Sequence, residues 1–566
     1  MKQMSQFSKT NRSQSLQDLQ KQALDLIVIG GGITGAGIAL DAASRGLKVA
    51  LLEKGDFASG TSSKSTKLIH GGLRYLKQFD FFLVKEVGSE RAIVHHIAPH
   101  LVLPEKMLLP LIENGSYGKW LTSVGLKVYD ILAQVTGDDK RKMLEKKEAL
   151  DLEPLLPKKI LKGAGYYAEY RTDDARLTIE NIKTAVQKGA TALNYSQVTG
   201  FDYKQNQVSG VQVTDQLSGE TYTLKSDFVI SAAGPWVDEL RELNASKHGK
   251  RLHLTKGVHL VFPFEKLPVK QSVYFDIPDG RMMFAIPRGK ITYVGTTDTN
   301  FNQDKDHPKV TLADAIYLIS AVNNMFPKIN LELEDVISSW VGLRPLIHEE
   351  GKSASELSRK DEIFTSPSGL VSIAGGKLTG YRKMAERVLD KIIEKMPSDK
   401  QQQLKACHTD TIPLCGNEFK NSKAVQKYIT RLSELLKKDG LEAYEAWHLV
   451  TNYGHQSSDI LSLFEKEKEK LSGTLDGEKA RLGLLLAELQ FGLAHEMVCS
   501  PEDFYIRRTG RLYFDPSSIS WSLEAVLRVF KEQEGWSEAA ILRSKTALEE
   551  ALKEHSDFSM DRPYKD

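Results

Sequence analysis

Short apolar runs and helical spacings take turns through the first two thirds of this chain. Residues 24–29 form a compact apolar run with β-branched side chains, the pattern of a strand buried on both faces. A glycine-rich turn follows at 30–35, then Ala-rich helical spacing over 33–45, then a second buried strand at 48–52 that ends at Glu53. Together they predict one complete βαβ unit. Residues 59–77 are polar and rich in Ser, Thr and Gly. Helical spacing returns at 81–97, as an amphipathic segment at 120–135 ahead of the charged run 140–147, and at 175–188 with a start at 172–174. Alternation over 198–213 and 222–230 predicts sheet. Residues 257–299 read as antiparallel strands (257–263, 272–276, 282–287, 291–296) parted by Pro, Gly and Asp. One more strand is expected at 335–341, a short buried strand at 370–374 and a helix at 378–394.

Beyond about residue 397 strand signals become scarce and charged helical patterns run to the end, which predicts a separate α-helical domain over 397–566. Within it, residues 465–470 alternate Glu and Lys with no apolar face, the mark of a solvated helix surface. No internal repeat is visible. The first 22 residues are polar and lack the apolar run of a secretory signal, and the first predicted element follows them directly. No run of about 18 apolar residues occurs, so no transmembrane helix is expected and any membrane contact would be peripheral.

Composition narrows the picture further. With 566 residues the chain exceeds one hydrophobic core, and roughly 150 residues per domain suggests two to four domains. Lys plus Arg is 76 against 74 for Asp plus Glu, a net charge of +2, which argues against a dedicated nucleic-acid binder. The three cysteines, Cys407, Cys415 and Cys499, have no framework spacing and read as ordinary thiols of a reducing compartment. His95, His96 and His100 lack carboxylate or Cys partners at ligand spacing, so no metal is expected.

The strongest chemical signal is GGGITG, in which Gly30, Gly32 and Gly35 make a GxGxxG. Gly30 permits the tight turn, Gly32 lets the backbone approach a pyrophosphate, and Gly35 lets helix and strand pack closely. The helix N-terminus adds amide donors and partial positive charge. Glu53, at the end of the second strand, can accept ribose hydroxyls and would repel the 2′-phosphate of NADP. The motif does not by itself separate FAD from NAD. Residues 228–234 (FVISAAG) and 370–382 (LVSIAGGKLTGYR) favour FAD, because each reads as a strand ending in small residues; the second leads on to a helix start that could face a flavin.

Longer motifs carry a resemblance. Residues 61–76 (TSSKSTKLIHGGLRYL), 295–298 (GTTD), 342–346 (GLRPL), Ser358-Arg359, 375–379 (GGKLT) and 503–509 (DFYIRRT) resemble the signatures of FAD-dependent glycerol-3-phosphate dehydrogenases of the aerobic type. The resemblance covers nearly the whole chain. It implies a Rossmann-like FAD domain of the glutathione-reductase and amine-oxidase type (20–95, 160–245 and 355–396), an antiparallel-sheet substrate domain (96–159 and 246–354) and the α-helical C-terminal domain, an α/β plus α fold. It implies oxidation of sn-glycerol 3-phosphate to dihydroxyacetone phosphate, a quinone-type acceptor, a cytoplasmic location with peripheral contact at the membrane face, and a homodimer. Glycerophosphate oxidases, which reduce oxygen to hydrogen peroxide, are similar but carry an insertion between the positions of Arg344 and Arg359. That segment is short here, which favours a dehydrogenase.

Oxidising a secondary alcohol on a flavin needs the C2 hydride over N5, an acceptor for the hydroxyl proton, and cations for the phosphate. By resemblance Arg74, Tyr75, Arg344, Arg359 and Lys377 form the substrate pocket, with Arg74 and Arg359 on the phosphate and Arg344 and Lys377 nearer the reacting carbon. An arginine fork suits phosphate oxygens. His259 and His70 are both candidates for the base, and His70 could contact the isoalloxazine instead. Ser62, Ser63 and Lys64 are expected at the pyrophosphate or the flavin, or else in a flexible loop. Val198 is expected to pass a backbone group to the adenine, and Gly234, Gly376, Lys377 and Thr379 to border the cofactor. Trp120, Leu121, Val124, Leu126, Val128, Tyr129 and Leu132 make an apolar face that suits an interfacial helix, or packing on the substrate domain.

Overall fold

A computed structural model describes residues 7–70, 81–113, 115, 141–348, 361–471 and 477–558. The predicted βαβ unit is present as strand Ala23–Ile29, helix Ile33–Arg45 and strand Val49–Leu52. Ala23–Ile29 pairs in parallel with Val49–Leu52 on one side and with Thr221–Ser231 on the other. Val371–Ala374 and Thr191–Leu193 extend the parallel sheet outward, and Glu362–Thr365 closes one edge antiparallel. The helix Ile33–Arg45 packs on this sheet beside helices Asp174–Gln187 and Tyr381–Ile393, which explains why almost all of its residues are buried. This is the expected Rossmann-like layer.

The second sheet is almost wholly antiparallel and has ten strands among the described residues. Its centre is Leu252–Pro263, Ile291–Gly295, Met282–Arg288 and Ser272–Asp276 in spatial order, with Ser338–Ile347 also paired to the first. Strand alternation gives each face its own task. Val258, Leu260 and Phe262 point into a core shared with helix Leu312–Met325. On the opposite face, Val261, Tyr293 and Trp340 pack against Tyr513 and Phe514 of the C-terminal helices, and the neighbouring His259 borders a cleft. Among the described residues beyond 397, the regular elements are all helical. None of the described helices is long and apolar enough to cross a membrane.

Of the elements that the sequence reading did not predict, among them helix Leu312–Met325 and strand Glu362–Thr365, three bear most on the architecture. A helix at Lys9–Gln20 precedes the first strand, where no element is expected. It has almost no amphipathic pattern, and it is held instead by Leu16, Leu19 and a buried cation. The Arg12 guanidinium bonds Asp215 (2.7 and 3.1 Å) and the carbonyl of Asn194 (2.7 Å). The second and third departures are strands Leu103–Ile112 and Leu161–Arg171, which pair along their length. Pro104 and Pro110 in one, and Gly163 and Gly165 in the other, blunt the strand signal. Leu161–Arg171 belongs to the second sheet, so a boundary at residue 160 assigns it to the other layer. The amphipathic segment 120–135 lies outside the described residues.

Candidate functional site

A cleft of about 1100 Å³ runs between the two sheets. At one end lies the glycine turn. Gly30 sits at φ +113°, and a Cβ there would come within 2.6 Å of the Ala232 carbonyl oxygen. A Cβ on Gly35 would lie 1.9 Å from the Gly30 carbonyl oxygen, so the turn closes only with hydrogen at both positions. Gly32 caps helix Ile33–Arg45 and brings no side chain of its own. Ser62 supplies the missing acceptor, its Oγ taking a hydrogen bond from the Ile33 amide at 2.9 Å. The Glu53 carboxylate accepts from the Gly31 amide (2.7 Å) and the Gly55 amide (2.9 Å). Burial pushes this carboxyl up, and the Gly55 and Gly31 amides oppose that by favouring the charge.

Along the floor lie Val198, Gly234 and Gly376, the last at φ +83° with Met384 Sδ 2.4 Å from where a Cβ would stand. Lys64 borders the cleft, and burial together with the nearby Arg507 cation brings its ammonium down to about 8. Ser63 faces elsewhere: its side chain is buried and its carbonyl accepts from Lys67 Nζ at 2.9 Å. Thr379 also lies behind the lining. Its hydroxyl accepts from the His70 amide and donates to the His70 carbonyl, both at 3.2 Å, which fixes His70 at the cleft wall. Lys377 lines the cleft after the Gly375–Gly376 turn.

The other end is built by the second sheet. Arg344 donates from Nη1 to the Thr297 carbonyl (3.0 Å) and Asp298 (3.1 Å), and from Nη2 to Thr296 Oγ1 (3.0 Å). Gly257 makes room for it, since a Cβ there would lie 2.2 Å from Nη2. His259 stacks on Trp340 with 4.8 Å between ring centroids, and its Nε2 meets Thr66 Oγ1 at 3.0 Å. Gly295, its cross-strand partner, clears its path: a Cβ would lie 2.2 Å from the imidazole Cδ2. Burial, with the charges of Arg344 and Lys67, holds this imidazole well below its usual pKa, so it is neutral. Arg74, Tyr75 and Arg359 lie outside the described residues.

Sequence reasoning singled out Arg344 and His259; it quoted 61–76 and 295–298 as family motifs but gave Thr66, Gly295 and Thr296 to Asp298 no part in holding them. Gly257, Gly295, Trp340, Thr66 and Thr296 to Asp298 act through cross-strand register, which no local pattern displays. The one available signal was spacing: Gly257 and His259 share a strand face, as residues two apart must.

The glycine cradle, the acid at the strand end and the cleft volume suit a dinucleotide. Residues 25–382 match the family model described as FAD dependent oxidoreductase. Residues 407–541 match the C-terminal domain of alpha-glycerophosphate oxidase. The aerobic glycerol-3-phosphate dehydrogenase of Bacillus subtilis (strain 168) is 49% identical over 538 residues, 94% of this chain and 96% of the relative. The chain belongs to the FAD-dependent glycerol-3-phosphate dehydrogenase family. Its cofactor is therefore FAD. Another relative in this family, the aerobic glycerol-3-phosphate dehydrogenase of Staphylococcus aureus (strain USA300), is 46% identical and covers 97% of this chain and 98% of its own. A crystal structure of the glycerol-3-phosphate dehydrogenase from Bacillus halodurans complexed with FAD aligns with a TM-score of 0.82 and 44% identity, over 98% of this chain and 99% of that one.

Proposed function

We propose that this FAD-dependent oxidoreductase oxidises the C2 hydroxyl of sn-glycerol 3-phosphate to the ketone of dihydroxyacetone phosphate and passes the electrons to a quinone-type acceptor. The observation that carries the reading is the pairing of a braced guanidinium, Arg344, with a neutral buried imidazole, His259, on one wall of the dinucleotide cleft. The substrate named for the relatives has the matching chemistry, an anion beside a secondary alcohol. Gly30, Gly32, Gly35, Glu53, Ser62, Lys64, Val198, Gly234, Gly376 and Lys377 would hold FAD, with Ser63 and Thr379 behind them. The chemistry that bound FAD supplies is acceptance of the hydride at N5.

The protein's own tasks follow from charge. His259 and His70 are the two candidates to take the hydroxyl proton; burial and the nearby cations leave the His259 lone pair free but also oppose its protonation. Arg344 and Lys377 favour negative charge developing on the C2 oxygen. Arg74, Tyr75 and Arg359 complete the pocket by family resemblance, the two arginines on the phosphate. The domain limits, with Leu161–Arg171 moved to the domain of the second sheet, peripheral contact with the cytoplasmic membrane face and a homodimer belong to the same reading.

Anaerobic titration of the FAD-loaded protein with sn-glycerol 3-phosphate tests it. Bleaching of the flavin, fast recovery with a quinone analogue and slow recovery in air are expected. Fast recovery in air with peroxide would make it an oxidase, and absence of bleaching would refute the substrate. A second check concerns Gly295. Its replacement by Ala drives a methyl into the imidazole, which Trp340 prevents from retreating. A displacement of about 1 Å at a reacting group can cost ~100-fold, so the flavin-reduction rate is expected to fall by about one to two decades. Bound FAD, read from its visible absorbance, should stay at the wild-type level.

A further inference from the structure

The motif 503–509 plays no part in the chemistry above, yet it reaches the back of the adenosine half of the cleft. We propose that the C-terminal helical domain, through the segment Asp503–Arg508, positions the Glu53–Asp56 turn and so sets the affinity for the adenosine half of FAD. This rests on the reading that Glu53 holds the adenosine ribose.

Asp56 lies three residues after Glu53 and is buried. Its carboxylate accepts from Arg508 Nη1 (2.8 Å) and Nη2 (2.9 Å), from Arg507 Nε, and from Asn194 Nδ2 (3.0 Å). Arg508 is itself fully buried and anchored on the Glu496 carbonyl at 2.9 Å. A bidentate, fully buried arginine pair of this kind tolerates little movement of either partner. The turn is gripped from a second direction by residues 194–196. The Tyr195 amide donates to the Gly55 carbonyl and the Ser196 amide to the Glu53 carbonyl, both at 2.7 Å. Tyr195 in turn is tied to the C-terminal domain, its hydroxyl donating to Asp503 at 2.6 Å. Asp503 also accepts from Arg507 Nη2 at 2.7 Å and from the Cys499 amide at 2.8 Å.

Backbone strain marks the same place. Ala58 (φ 60°), Tyr195 (φ 51°) and Met497 (φ 49°) are non-glycine residues in the left-handed region. The Ala58 amide donates to the Gly31 carbonyl, and the Met497 carbonyl accepts from Asn194 Nδ2 at 3.1 Å. Such conformations are unfavourable for residues other than glycine and persist where surrounding contacts over-determine them. Their convergence from three distant segments on one turn shows that its shape is imposed from outside. Glu53 rides on that turn, bonded to Gly31 on one side and Gly55 on the other.

The test uses the full-length chain stripped of FAD and titrated with FAD, and separately with ADP-ribose, which lacks the flavin. Glu53→Gln, Asp56→Asn and Tyr195→Phe are compared with the parent, together with the ligand-free thermal midpoint of each. Asp56→Asn should weaken both ligands by about tenfold and Tyr195→Phe by about threefold, losses of ~1.4 and ~0.7 kcal/mol. Equal factors for the two ligands place the effect in the adenosine half. Tyr195→Phe leaves every buried charge in place, so it decides the matter should Asp56→Asn fail to fold. Dissociation constants within twofold of the parent in Tyr195→Phe, with or without a lower midpoint, overturn the proposal when Glu53→Gln binds weakly. Unchanged binding in Glu53→Gln instead removes the ribose reading, and the proposal with it.

Discussion

Arg344→Ala is expected to reduce kcat/KM by about 10²–10³ or more, the loss seen when one positioned donor to developing charge is removed, while the purified protein stays yellow. The guanidinium is preorganised: three hydrogen bonds to Thr296, Thr297 and Asp298 hold it before any ligand arrives. Gly257 leaves the space it fills. A fork held in this way does not reorganise during reaction, which is where such a group gains its advantage over water. Arg344→Lys should restore little, because an ammonium on a flexible stem cannot reproduce two donors at fixed spacing. Stopped-flow reduction with sn-glycerol 3-phosphate gives the rate, and flavin absorbance gives the cofactor content. Parent-like reduction in Arg344→Ala would remove this residue from the reaction and with it the central support for the proposed function.

The largest stability effect is expected at Arg176, replaced by Met. Its side chain is 1% exposed and bonds both oxygens of Glu496 at 2.8 Å, together with Glu180 and the Asn452 carbonyl. Both carboxylates are fully buried; among the described residues Lys183 would remain as their paired cation, with Gln456 still donating to Glu180 at 3.2 Å. Breaking a buried pair from one side costs about 3–5 kcal/mol, because the surviving charge is left without compensation. These residues join helix Asp174–Gln187 of the Rossmann-like layer to the C-terminal domain, so unfolding of the variant should begin at that junction. The pH dependence carries a sign. Burial alone would raise the Glu496 carboxyl, but Arg176 and Lys183 hold it well below the usual carboxylate range. A depressed folded value contributes stability that is complete above the unfolded value and is lost as pH falls toward the folded one. In the variant the carboxyl loses its main cation and its folded value rises, so the variant's thermal midpoint, lower than the parent's at neutral pH, should fall less on acidification than the parent's does. Scanning calorimetry from neutral pH downward measures both effects, and coincident profiles would show that the cluster contributes nothing.

How much of this was readable beforehand follows from where each constraint resides. The helix Ile33–Arg45 has the limits its spacing predicts, because a local apolar pattern decides it. The roles of Gly30 and Gly35 were readable because tight turns and close packing leave glycine alone as an option. The N-terminal helix was not, since Arg12 makes its decisive bonds with residues about two hundred positions away. The strands Leu103–Ile112 and Leu161–Arg171 were hidden by Pro and Gly that mutual pairing overrides. In the site, Arg344 stood out as a motif residue, whereas the part played by Gly295, though it lies in a motif, and by Trp340 comes from their register with His259.

That register has a consequence for how the protein comes into being. Trp340, the platform under His259, has Tyr513 at 5.4 Å and Phe514 at 6.1 Å on its other sides. During synthesis the glycine turn emerges before the imidazole at the other end of the cleft, and both emerge before Tyr513 and Phe514. Domains fold as they emerge, N-terminal first. The wall that carries His259 therefore cannot set before Tyr513 and Phe514 have emerged, more than 250 residues after the imidazole. A nascent chain cut short before Tyr513 would carry every residue of the proposed chemistry and still lack the surface that holds them in place.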